Sequence, residues 1–252
     1  MTAADEKIFL VNVRRALGID SPRRAPRLFP ESPSDRSKML LERISRRTGE
    51  ETRKLIHRLQ EAAAPSNIDF HVAPDIQAAA AVIVRLAAEK SPEWADQKTV
   101  AAWRHPLVER LDLPAALDAP VFFSEPDPGL CEEDAHRRMI EQVAKSFIGV
   151  TAADFCLADT ATLVLRSRPG QARSVSLLPS IHVAIVETDR LLADLSELYA
   201  VLRWNPETAA DGRFPCLALI TGPSKTADIE ATLVHGAHGP RELHLVVLEQ
   251  NS

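Results

Sequence analysis

Cysteine is scarce in this 252-residue chain: Cys131, Cys156 and Cys216 are the only three, and they stand far apart. They cannot build a disulfide framework, a Cys-x-x-Cys site or a four-thiolate iron–sulfur centre. A reducing cytoplasm is the simplest compartment for such a chain. Long apolar runs are missing as well. The longest unbroken one, Ala78 to Val84, has seven residues, whereas a membrane-spanning helix needs about 20. Met1 to Lys7 show neither the basic region nor the apolar core of a secretory signal. The chain has no Gly-x-Gly-x-x-Gly dinucleotide fingerprint, and no Ser/His/Asp spacing marks a hydrolase triad.

What is present is the balance of an ordinary globular protein, 45% apolar and 26% charged residues, enough to offset the entropy of ordering a chain. The net charge of −5 is unevenly spread. Residues 1–60 carry 14 Lys/Arg against 8 Asp/Glu, while residues 61–252 carry 16 against 27. An acidic body argues against nucleic acid as a partner. The basic front reads either as a solvated surface or as a contact for an acidic group.

Residues 1–35 read as a separate arm. Ile8 to Leu17 suits a short helix ended by Gly18. Pro22, Pro26, Pro30 and Pro33 then prevent any regular helix or central strand. From Ser34 the pattern turns helical, with Met39, Leu40 and Ile44 on one face, continued by Leu55, Ile56 and Leu59. Strands are expected around Phe70–Val72, Thr99–Trp103, Val121–Phe123, Ile181–Val186, Cys216–Ile220 and Leu243–Leu248. Helices are expected over 75–89, 132–147 with a stop at Gly149, and 191–202. Such alternation points to an α/β fold with a parallel sheet flanked by helices. A β-hairpin is expected from Thr160–Arg166 and Ala172–Leu177 around Gly170. Only 9 glycines exist, and Gly149, Gly170, Gly222, Gly236 and Gly239 all sit at junctions of the second half.

Three segments carry groups capable of chemistry. Ile220 leads through Gly222 and Pro223 into Ser224-Lys225-Thr226, with Asp228 and Glu230 following. A strand, a glycine turn and a hydroxyl-bearing helix start can present backbone N–H groups to a ligand. Lys225 would add charge for an anion, though the glycine spacing of a P-loop is absent. The alternative is plain helix capping, with a short helix over 226–234 and acidic residues in its first turn. The second segment, His235-Gly236-Ala237-His238-Gly239-Pro240, offers two histidines three apart. The glycines disrupt a shared helical face and no third ligand is evident, so no metal is assigned. The histidines read as neutral hydrogen-bonding groups in a ligand loop or as residues of a tight turn. In the third segment, Gly149 to Thr162, Asp154, Asp159, Thr160 and Thr162 gather before the hairpin, and His182 beside Ser180 is a candidate to join them. These carboxylates orient a hydroxylated ligand, act as a base, or merely cap turns. Cys156, between Phe155 and Leu157, reads as a buried inert thiol.

At these residues the chain resembles the LUD-domain family, within its lactate-utilization branch. The likeness rests on Gly149–Thr162, on Leu177-Leu178-Pro179 with His182, and on Gly222-Pro223-Ser224-Lys225-Thr226-Ala227-Asp228-Ile229-Glu230. His238-Gly239-Pro240 before Leu243-His244 completes it. It is strong over about 130–248, looser over 36–129, and absent from the arm. Two residues depart from the pattern: Ala161 stands where glycine is common, and Lys225 where arginine is common. The second replaces a bidentate donor by a point charge.

The resemblance implies a three-layer α/β/α fold with a mainly parallel sheet, similar to the NagB/RpiA/CoA-transferase superfamily. It implies a domain over 36–252, and a role in oxidising L-lactate to pyruvate with two partner proteins. One partner family carries iron–sulfur clusters; the other is cysteine-rich and cluster-associated. Oxidation needs an electron acceptor, and this chain shows no cofactor motif of its own. A subunit that binds, positions or regulates is therefore expected, with a small-molecule ligand and the clusters in its partners. Two other readings stay open. One is a stand-alone enzyme or binding protein of this fold acting on a phosphorylated, CoA-linked or folate-like molecule, on fold analogy alone. The other is a pure interaction protein. The four motifs around Asp154, His182, Ser224 and His238 are expected to meet at one sheet edge, near strand carboxyl ends.

Overall fold

The computed structural model describes residues 3–16, 18, 31–92, 97–127, 129–206, 208, 216–227 and 233–249. It divides into two compact units, Met1–Arg36 and Ser37–Ser252. In the first, helix α1 (Ala3–Ala16) leaves Ile8 and Phe9 exposed. Gly18 closes it in the left-handed region, at φ +65°, where a side chain would be strained. Prolines 22, 26 and 30 lie outside the described residues.

The second unit is built on six parallel strands in the order β1, β12, β7, β4, β2, β3. These are β1 (Ile68–Ala73), β2 (Val100–Ala102), β3 (Val121–Phe123), β4 (Ile148–Ala152), β7 (Ile181–Glu187) and β12 (Glu242–Leu248). The inner strands β4, β7 and β12 are buried along nearly their whole length, on both faces. That explains their continuous apolar runs and requires cover on both sides. Helices α3 (Gly49–Ala63), α4 (Ile76–Glu89) and α7 (Glu132–Ala144) contribute Leu59, Ile83 and Val143 to this core. Local chemistry sets where α3 and α4 begin. Thr48 and Glu51 form a reciprocal capping box on α3, and Asp75 Oδ1 accepts from Ala78 N at 2.7 Å on α4. Short helices α5 (Pro106–Glu109) and α6 (Leu113–Ala116) lie between β2 and β3. Among the described residues no helix is long and apolar enough to cross a membrane.

A second sheet was not foreseen. It runs β8 (Leu191–Leu192), β5 (Phe155–Leu157), β6 (Thr162–Arg166), β9 (Leu217–Ile220). Its alternating side chains serve two cores. Cys156, Leu163 and Leu165 join the main one. Phe155, Leu157 and Val164 pack instead with Leu198 and Val201 of α8 (Leu195–Trp204), and with Leu41 and Ile44 of α2 (Asp35–Ser45). The turn between β5 and β6 ends at Ala161, which sits at φ +49° although it is not glycine.

Several expectations are corrected. The hairpin partner of β6 is β9 on one side and β5 on the other; Arg173–Ser176 forms a 3₁₀ turn instead of a strand. Its Ser176 hydroxyl bonds back to the Arg173 carbonyl at 2.9 Å, a local alternative to a ladder. At the two ends of the helix expected over 226–234 stands an antiparallel pair, β10 (Lys225–Ala227) and β11 (Leu233–His235), and residues 228–232 lie outside the described residues. Thr226 and Val234, both β-branched, stand opposite each other in it. Gly149 lies inside β4 and is not a helix stop. Leu191 and Leu192 form β8 ahead of α8. Met39 is exposed, while the partly buried Leu41 and Ile44 form the side of α2 that packs on the second core.

Candidate functional site

Gly149 shows how the site is built. A Cβ at this position would collide with the Val175 carbonyl oxygen, so only glycine lets the 3₁₀ turn lie on the sheet there. The turn delivers Ser176 and Leu177 beside His182, which is the strand neighbour of Gly149. Gly222, at φ +82°, plays a similar part after β9: a Cβ would strike the Ser66 carbonyl oxygen. The chain then turns through Pro223 to Ser224. Ser224 N donates to the Pro240 carbonyl at 2.8 Å, and Gly236 N donates to the Ser224 carbonyl at 3.0 Å. Ser224 Oγ accepts from His238 N at 3.3 Å. Three hydrogen bonds thus tie the 222–225 turn to the 236–240 turn.

Between these parts lies a cleft of about 300 Å³, the size of a small-molecule site. Leu177, Ile220, Pro223, Pro240 and Leu243 give it apolar walls; Ser176, His182, Ser224, Lys225 and His238 supply polar groups. None of the described residues lining it is acidic. Lys225 and His238 are exposed at its mouth, which favours an anionic ligand.

His182 and Ser176 are the two buried polar groups of the cleft. Thr151 Oγ1 lies 2.8 Å from the Nε2 of His182. The histidine's Nδ1 has no partner among the described residues. Burial pushes its pKa down to about 3, and His244 adds a smaller effect in the same direction. The imidazole is therefore neutral at pH 7. With Nε2 engaged by Thr151, Nδ1 is left to meet a ligand, as donor in one tautomer and acceptor in the other.

The residues expected from sequence divide clearly. His182, Gly222, Ser224, Lys225, His238 and Gly239 line the cleft together. Asp154 does not line it. Its Oδ1 lies 2.7 Å from Arg166 Nε and 2.9 Å from Arg168 Nη2, and its Oδ2 accepts from Arg166 N at 2.8 Å. Those pairings commit the carboxylate to holding β6. Thr160, Thr162 and Thr221 form a hydroxyl chain with two 2.7 Å links, which Asp159 joins through Thr160 at 3.1 Å. Of these four, none lines the cleft, although Thr221 stands between the lining residues Ile220 and Gly222. Thr226 pairs with Val234, and His235 with Lys225, in the β10–β11 ladder. Asp228 and Glu230 lie outside the described residues. The location also differs from expectation. His182 and Leu243 are the second residues of β7 and β12, so the cleft opens at the amino ends of those strands. It meets a carboxyl end only at β9. The histidine partner Thr151 was not singled out, although it sits two residues after Gly149 on the same strand face.

A family model, the LUD domain, matches residues 56–248. The chain belongs to the LUD-domain family. The matched span of this LUD-domain chain takes in every residue lining the cleft. Among its relatives is Lactate utilization protein C of Shouchella clausii, 36% identical over 129 residues, 51% of this chain and 55% of that protein. Lactate utilization protein C of Halalkalibacterium halodurans is 33% identical over 153 residues, 60% and 63% of the two chains. That of Bacillus licheniformis is 38% identical over 112 residues, 44% and 45%. The LUD-domain chain thus spans about half the length of the curated relatives it matches. A solved DUF162 family protein from Deinococcus radiodurans is 17% identical, with a TM-score of 0.49 over 78% of this chain and 98% of that one.

Proposed function

We propose that this chain is a component of an L-lactate utilization system. In this reading it supports oxidation of L-lactate to pyruvate together with iron–sulfur partner proteins of the LutA-like and LutB-like kinds. The observation that carries the reading is the name shared by its relatives, Lactate utilization protein C, at 33–38% identity in the three described above. The cleft supports a ligand-binding role within it. A neutral, buried histidine with a spare ring nitrogen, a serine-held loop and a cation at the mouth suit a small anionic molecule with a hydrogen-bonding group. The domain responsible is 36–252, with 1–35 as an appended arm.

The test is growth. Deleting the gene, in a strain without a paralogue, is expected to impair growth on L-lactate and spare growth on pyruvate. Ser224→Ala removes the hydroxyl that accepts from His238 N, and His238→Ala removes the ring at the mouth. Loss of such a surface-loop hydrogen bond costs about 1 kcal/mol, which a domain of this size survives. Both variants are expected to be folded, abundant and unable to support growth on lactate. Normal growth by both would remove the cleft from the function. Normal growth by the deletion would remove the lactate role itself.

A further inference from the structure

We propose that Asp69, Glu242 and His244, on the edge of the parallel sheet, bind one divalent transition-metal ion of the zinc type. Strand pairing creates the site. Asp69 of β1 and His244 of β12 stand directly opposite each other in the parallel ladder. Glu242 lies two residues before His244, and so on the same face of β12. Leu243, which lines the cleft, projects to the other face. The cluster is therefore separate from the cleft although it shares a strand with it, and it does not depend on the lactate reading.

The geometry fits an ion held by one imidazole and two carboxylates. His244 Nε2 lies 3.2 Å from Glu242 Oε2 and 3.6 Å from Asp69 Oδ2, and the three ligand atoms all fall within 4.8 Å of one another. A tetrahedral ion with bonds of about 2.0–2.2 Å separates its ligand atoms by roughly 3.4 Å. Two of the three spacings bracket that value. The neighbours orient the ligands. His71 Nε2 lies 3.3 Å from His244 Nδ1, with the rings stacked 5.6 Å apart, so the far nitrogen of His244 is engaged and its Nε2 is turned to the carboxylates. Such a second partner on the other ring nitrogen is usual for a metal-binding histidine. Lys90 Nζ takes the other Glu242 oxygen, Oε1, at 2.8 Å and leaves Oε2 for the ion. Its positive charge lowers the affinity below that of a closed structural site. Asp69 is exposed, so the fourth position is open to water. A mixed imidazole and carboxylate set of this kind suits zinc or manganese better than a thiophilic ion.

The experiment titrates the chelator-stripped full-length chain with Zn²⁺ by calorimetry, and with Co²⁺ by visible absorption. One equivalent of Zn²⁺ is expected, displacing Co²⁺ and its ligand-field bands. Asp69→Asn and Glu242→Gln are each expected to weaken binding by at least about tenfold. Asp69 is exposed, and circular dichroism is expected to show its variant folded. No binding by the parent chain would overturn the proposal. So would binding unchanged in both variants, or binding lost in His238→Ala while retained in Asp69→Asn. In those cases His244 Nε2 is simply hydrogen-bonded to Glu242 Oε2, with Asp69 beside it.

Discussion

His182 makes stability depend on pH in a direction that can be worked out. Its pKa is about 3 in the folded chain and about 6.5 when exposed, because burial penalises the imidazolium. Between those values the unfolded chain binds a proton that the folded chain does not, so stability rises with pH across the window. The contribution is complete above pH 6.5 and is lost progressively as pH falls toward 3. At pH 5 the loss is about 2 kcal/mol relative to pH 7. His71 and His105, lowered chiefly by their own burial, act in the same direction. Urea unfolding at pH 7 and pH 5 measures the sum, and His182→Gln isolates the share of this residue. The variant is expected to flatten the pH dependence. A variant with the parent's full pH slope would show that the protonation of His182 is not excluded in the folded state. Cys156, by contrast, is a buried thiol whose pKa burial pushes up, and it is inert as its apolar neighbours suggested.

At the scale of elements, a buried carboxylate holds two helices together. Glu197 of α8 is fully buried and accepts from Arg43 at 2.6 Å, from Arg47 at 2.8 Å and from Ala193 N at 2.6 Å. The arginines come from α2 and its carboxyl end, so the contact fixes α2 against α8 over the second core. Glu197→Ala would leave the nearly buried Arg47 without its carboxylate partner, at a cost of about 3 kcal/mol. Chemical denaturation is expected to show that loss, with a smaller one for Arg43→Ala because Arg43 is half exposed. Neither arginine was singled out in the sequence, where a basic helix face reads as solvated. The elements that were legible have strong periods: α4 with its Asp75 cap, and β7 and β12 with apolar runs matched to a sheet covered on both faces. Lys225–Ala227 and Leu233–His235 were not, since Ser-Lys-Thr-Ala-Asp looks like a capped helix start while strand pairing sets the conformation of these two stretches. The cleft was half legible for a related reason. Gly222, Ser224, His238 and Gly239 sit in glycine turns that announce themselves. Thr151 and Leu243 reach His182 only through strand register, as Asp69 reaches His244 in the separate cluster, where His71 and His244 are 173 residues apart. Asp154 stood among the ligand-binding candidates, with a cap or turn as the alternative, because its arginine partners Arg166 and Arg168 cannot be seen from spacing.

For the whole molecule, the question is where the electrons of a lactate oxidation would go. Removing two electrons from a 2-hydroxy acid requires an acceptor. The three cysteines offer one exposed, one buried and one intermediate thiol. The common [2Fe–2S] and [4Fe–4S] clusters take four protein ligands, mostly cysteine thiolates, which three dispersed thiols, one of them buried, do not supply. Purified protein is accordingly expected to be colourless and to lack stoichiometric iron and sulfide, which elemental analysis checks. The same argument extends to turnover. If the proposed lactate role holds, the chain alone is expected to produce no pyruvate from L-lactate with an artificial electron acceptor, and addition of the proposed iron–sulfur partners is expected to give production. The decisive comparison uses the Ser224→Ala chain in that reconstituted mixture. If the cleft positions a ligand for the partners, the variant lowers pyruvate output while still co-purifying with them. Full output with the variant would reduce the chain to a scaffold. Pyruvate formed by the chain without partners would place the acceptor chemistry here, against the cysteine count.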